Sequence, residues 1–127
     1  DQLWPVVDKD RFPDKMLSDV CSHAVRGKKL RVRLAISNPC FELWLYLHYS
    51  EWPAGQYISS GDMKKAHREQ LGSYNSSNLK IENYKGRVDL AVLNAHKLDT
   101  THTFSRWPQN PGTHIPRLIQ AIRELEG

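Results

Sequence analysis

Two carboxylates one residue apart, Asp8 and Asp10, directly follow a short apolar run at 3–7. That run is partly β-branched and reads as a buried strand. Open α/β sheets place ligands at the carboxyl ends of their strands. A DxD at such an edge can share one hard divalent cation, with water and substrate phosphate completing its shell. The same pair could equally end a strand and cap the helix that follows, and a DxD alone does not separate these roles. Glu42 is a third acidic candidate. Its neighbours Phe41, Leu43 and Trp44 are apolar, and a carboxylate buried among such side chains needs a partner or a metal. An ordinary first-turn glutamate, favoured by the helix dipole, is the equal alternative. Ser37 and Asn38 precede that helix and are candidates either for substrate contact or for simple capping.

The elements that must position these groups follow from period and punctuation. After the strand, Met16, Leu17, Val20, Cys21, Ala24 and Val25 recur at helical spacing until Gly27. A second strand is predicted over 30–36, where Leu30, Val32, Leu34 and Ile36 alternate. Strand, helix, strand is a βαβ unit with parallel strands, so the segment at Ser37-Asn38 should face Asp8 and Asp10. Asn38 is a suitable N-cap and Pro39 a suitable first helical residue for a helix buried on more than one side. A loop over 49–61, a polar surface helix over 62–71 and a Gly/Ser/Asn-rich connection over 72–78 follow. Helices marked by Val88, Ala91, Val92, Ala95 and Leu98, and by Ile115, Leu118, Ile119, Ile122 and Leu125, flank a loop over 99–112. Two strands make a poor sheet, so a further strand is expected upstream or from another chain.

Composition bounds the alternatives. The chain has 127 residues, 39% hydrophobic and 25% charged, the profile of one globular domain. It holds no apolar run near the ~20 residues of a membrane span. Cys21 and Cys40 form neither a CxxC nor a disulfide framework, and Cys21 lies on an apolar stripe as a core thiol. These features fit the cytoplasm. The net charge of +4 permits a polyanionic partner. His96 and His102 have no zinc spacing, and His48 reads as a hydrogen-bonded core or edge histidine. His67, among Lys64, Lys65 and Arg68, falls on a solvated face. Arg31 and Arg33 share a strand face, available to a nucleic-acid backbone or to acidic partners. Trp52, Tyr57 and Trp107 lie in loops, where packing on the core competes with base stacking.

The runs Trp4-Pro5-Val6-Val7-Asp8-Lys9-Asp10 and Ala35-Ile36-Ser37-Asn38-Pro39-Cys40-Phe41-Glu42-Leu43-Trp44-Leu45-Tyr46-Leu47-His48-Tyr49 resemble the RloB family, as do Tyr84-x-Gly and Asn110-Pro111-Gly112-Thr113. The resemblance covers essentially the whole chain, residues 1–127. It implies a Toprim-like, Rossmann-like α/β fold: a parallel sheet with flanking helices, of which this chain is the C-terminal part. Toprim-like sites also use a glutamate on an upstream strand in an EGxTE-like segment. None is present here, so an N-terminal strand and helix are expected outside this chain. The implied activity is metal-dependent phosphodiester hydrolysis by a nuclease of a phage-defence system. Asp8, Asp10 and Glu42 would hold Mg2+ or Mn2+, with Glu42 and Lys85 catalytic, Lys80 behind Lys85, and Ser37 and Asn38 on the substrate. The implied partners are DNA or RNA, an ATPase and further copies of the chain, with no membrane. A non-catalytic module binding nucleic acid or the ATPase is the alternative, and a phosphoryl-transfer enzyme acting on free nucleotides is a third possibility.

Overall fold

The structure is a computed structural model that describes residues 2–25, 31–98 and 107–126, the side chains of 20–25 and 31 apart. The predicted first strand is two pieces, β1 (Gln2–Leu3) and β2 (Val6–Asp8), and the second is β3 (Arg31–Val32) and β4 (Ala35–Asn38). β1 pairs with β3 and β2 with β4, both in parallel. The interruption falls at Trp4-Pro5, where proline has no N–H for a ladder. Carbonyls keep the two halves in step: Leu3 accepts the Arg33 N–H and Pro5 the Ala35 N–H, each at 2.9 Å. Helix α1 (Asp14–Val25) joins the paired strands, as the βαβ pattern predicts. Cys21 lies in α1, its side chain outside the described residues.

A third strand corrects the two-strand expectation. β5 (Gly112–Thr113) pairs antiparallel with β4, Ser37 opposite Thr113 and Asn38 opposite Gly112, giving the order β2-β4-β5. Two residues carry too little alternation to be seen as a strand in the sequence. Asn110 explains why the chain arrives there. Its side chain accepts the Ile58 N–H at 3.0 Å and donates to the Ile58 carbonyl at 2.8 Å, copying a strand pair. Gly112 is required by crowding, since a Cβ there would stand 2.7 Å from the Gln109 carbonyl oxygen and 2.8 Å from Pro108 Cβ.

The core forms around α2 (Phe41–Tyr46), which packs on β4, on α3 (Ser60–Leu71) and on α4 (Val88–Leu98). Leu43, Leu47, Met63 and Ala91 are fully buried, and each buried leucine contributes roughly 1.5–3 kcal/mol. α3 starts at Ser59, whose hydroxyl accepts the Asp62 N–H, and ends at Gly72 in the left-handed conformation that glycine adopts without strain. α5 (Ile115–Glu126) packs on β4. The predicted loop over 99–112 lies outside the described residues as far as 106. No described helix is long and apolar enough to cross a membrane.

Candidate functional site

β2 and β4 run parallel with Asp8 opposite Ser37, so their trailing segments leave the same edge of the sheet. The Asp10 N–H donates to the Pro39 carbonyl at 3.2 Å, tying those segments together. Asp8 ends β2, and its Oδ1 accepts the backbone N–H of Phe41 at 2.8 Å. This makes Asp8 a cap, but of α2 rather than of the helix that follows it in sequence. Cys40, at the N-cap position of α2, offers no side-chain bond, and a first-turn amide left unpaired there would be costly. Asp10 lies in the single 3-10 turn Lys9–Arg11 and accepts the hydroxyl of Ser60, the first residue of α3. Glu42, only 5% exposed, accepts the Tyr74 hydroxyl at 2.7 Å through Oε2. Each of the three carboxylates therefore has one oxygen fixed by a donor from another part of the chain.

The surroundings of Asp8 disfavour its charged form. Burial raises the Asp8 pKa above its usual value, and the charges of Glu42 and Asp10 raise it further; the Phe41 amide and Arg11 oppose them. The Arg11 guanidinium is weak compensation, being exposed and 3.9 Å from Asp8 Oδ2. Lys9, between the two aspartates in sequence, pairs instead with Asp14 at 2.6 Å. Burial, and then Glu42, push the Cys40 thiol up to about 12, leaving it unreactive at neutral pH. Burial raises the Tyr74 hydroxyl far above its usual value, as does its bond to Glu42, so it acts as a donor. Among the described residues no three His, Cys, Asp or Glu side chains stand in metal-holding geometry.

The remaining candidates fall as follows. Ser37 is fully buried and shares a 2.7 Å hydrogen bond with the Thr113 hydroxyl. Asn38 belongs to β4 and donates to the Pro108 carbonyl at 3.0 Å, so it does not cap the helix; α2 begins only at Phe41, after Pro39. Lys85 is exposed, and among the described residues no hydrogen bond or ion pair joins it to the three carboxylates. His48 is the expected core histidine, 2% exposed, with Nδ1 at 2.9 Å from the Trp44 carbonyl; burial lowers its pKa. His67 corrects the solvated-face expectation. It is fully buried, its Nε2 is 2.7 Å from the Tyr84 hydroxyl and its Nδ1 2.9 Å from Gln70, and burial lowers its pKa. Arg33 lies over the Trp4 ring at 5.8 Å. Trp52 donates to the Gln56 carbonyl at 2.9 Å, and Tyr57 is exposed. Arg31's side chain and His102 lie outside the described residues.

Tyr74, Ser60, His67 and Tyr84 support this site and were not singled out as its parts by the sequence. For His67 a signal existed: Met63, Ala66, His67, Gln70 and Leu71 form one helical stripe. Tyr74 is an isolated aromatic in a polar loop and carries no such signal.

The family model of the RloB-like protein matches residues 1–122. The chain belongs to the RloB-like family. No curated protein and no solved structure matches it. The matched span includes Asp8, Asp10, Glu42 and the residues that hold them.

Proposed function

We propose that this RloB-like protein hydrolyses phosphodiester bonds in DNA or RNA with the help of a divalent metal ion. One observation carries the proposal: three carboxylates carried by the segments that leave one edge of a parallel strand pair, each fixed by a donor from another part of the chain. The donor set suits Mg2+ or Mn2+, which are hard cations that prefer oxygen. Mg2+ in particular is usually held by one or two carboxylates plus water and substrate phosphate, so a closed cage of three protein ligands is not required. The raised pKa of Asp8 comes first from burial and then from Glu42 and Asp10, and a bound cation would offset both the burial of its charge and that repulsion.

When bound, such an ion supplies Lewis-acid stabilisation of the phosphate and a competent nucleophile at neutral pH. Asp8 and Asp10 would provide the oxygens that hold it, oriented by the Phe41 amide and the Ser60 hydroxyl. Glu42, oriented by Tyr74, would accept a proton from the attacking water or join the aspartates in holding the ion. Lys85, on an exposed turn, offsets charge on the phosphate once substrate is present. Ser37 acts from inside the fold, fixing β4 to β5, with Asn38 anchoring the adjoining loop. The family resemblance extends the proposal to a Toprim-like effector nuclease of a cytoplasmic anti-phage system, acting beside an ATPase partner.

A second reading has its own support. All three carboxylates already have structural partners, as a non-catalytic module that binds nucleic acid or the ATPase would allow. One experiment separates the two. The protein is incubated with labelled DNA and RNA in Mg2+ or Mn2+. Metal-dependent cleavage lost in Asp8→Asn and Asp10→Asn supports hydrolysis. Salt-sensitive binding that survives both substitutions, without cleavage in either metal, establishes the binding module instead.

A further inference from the structure

We propose that a cavity of about 360 Å3 beside Tyr74 is the subsite for one nucleotide unit of the nucleic-acid strand. The inference rests on the phosphodiester reading above and names the part of the substrate that the carboxylates do not touch. The volume lies within the range of small-ligand pockets. Tyr74 and Tyr84 line it, together with Asn75, Asn78, Asn83 and Lys80.

That set matches a nucleotide group by group. Aromatic faces stack on bases without regard to sequence. Side-chain amides carry both donors and acceptors, as base edges do. Lys80 supplies a point charge for a phosphate, and none of the lining residues is acidic. The aromatic walls are also pre-organised. Tyr84 is buried, its ring stacked on His67 and its hydroxyl 2.7 Å from His67 Nε2, so it is a fixed wall and the partly exposed Tyr74 is the ring offered for stacking. Asn83 is anchored at its backbone carbonyl by the Tyr49 hydroxyl, and the Asn75 side chain holds its own loop by accepting the Ser77 N–H at 2.9 Å.

Tyr74 connects the cavity to the acidic site. It forms part of the cavity wall and donates to Glu42 at 2.7 Å. A unit held in the cavity is therefore one side chain away from the carboxylate cluster. A strand anchored there would bring a neighbouring phosphodiester towards Asp8 and Asp10.

The test measures binding separately from cleavage. Fluorescence anisotropy with labelled DNA and RNA hexanucleotides in EDTA reads affinity without metal. The exposed pair Asn78→Ala/Lys80→Ala is expected to weaken binding about tenfold or more, from a lost hydrogen bond and a lost phosphate contact, with no change in the thermal melt. Hexanucleotides carrying 4-thiouridine or bromodeoxyuridine are expected to photo-crosslink to Tyr74 or Tyr84. Affinity unchanged in the double variant, no binding by the unsubstituted protein, or crosslinks confined to other faces would each overturn the subsite. Binding that depends on Asn78 and Lys80, with no cleavage in any metal, keeps the subsite and removes the hydrolytic reading. Cleavage that depends on Asp8, with binding indifferent to Asn78 and Lys80, does the reverse.

Discussion

Asp8 has two physical roles that can be separated with two substitutions. Its Oδ1 satisfies the first amide of α2, while its charge sits half-buried beside Glu42 and Asp10. Asp8→Asn keeps an acceptor at that position and removes the charge. Asp8→Ala removes both and leaves the Phe41 N–H without its partner. Losing such a cap costs about 1–2 kcal/mol. For a chain of 127 residues, that places the melting temperature of Asp8→Ala roughly 3–10 °C below that of Asp8→Asn. The pH dependence follows from the raised pKa. A carboxyl whose folded pKa lies above its unfolded value favours the fold below about that unfolded value, 3.8 here. The contribution is lost as pH rises through the folded pKa. Asp8→Asn is therefore expected to be at least as stable as the unsubstituted protein at pH 7, with the advantage shrinking as pH falls towards 4. Thermal and urea melts followed by circular dichroism across pH 4–8 test both statements. Equal melting temperatures for the two variants would refute the capping argument, and an Asp8→Asn variant clearly less stable at pH 7 would refute the charge argument.

Other consequences are equally direct. Tyr74→Phe removes the hydroxyl that Glu42 accepts and should cost about 1.5–3 kcal/mol; a double-mutant cycle with Glu42→Gln that shows no coupling would contradict the assignment. Gly112→Ala drives a methyl into the Gln109 carbonyl and Pro108 and should cost about 1–3 kcal/mol in a urea melt. His48 and His67 have pKa values lowered by burial, so their contribution to stability is complete above 6.5 and is lost as pH falls through the folded values. Each adds a slope of at most about 1.4 kcal/mol per pH unit below that point. His67→Gln should flatten the curve, and an unchanged slope would exclude His67 as a source.

The sequence made the parallel strand pair, α1 and the apolar face of α2 legible, because hydrophobic period and flanking turn residues both pointed the same way. The convergence of Asp8, Asp10 and the start of α2 followed from parallel topology alone, since both strands end at one edge. Other features were hidden for physical reasons. β5 is two residues long, and its place is set by a side chain, Asn110, that imitates a backbone. His67 carries a polar name but occupies an apolar stripe, where Tyr84 and Gln70 satisfy it. Asn38 has the composition of an N-cap, yet the sheet claims it first through Gly112. The donors that aim the carboxylates, Ser60 and Tyr74, lie far from them in sequence and show no periodicity.

The union of β4 with β5 also bears on how the molecule is made. Ser37 and Thr113 are 76 positions apart, so the middle strand gains its second neighbour only after most of the chain has been synthesised. Pairings across such distances form slowly. During translation one margin of β4 must wait uncovered, and a product ending before Gly112 would keep that margin open to other strands.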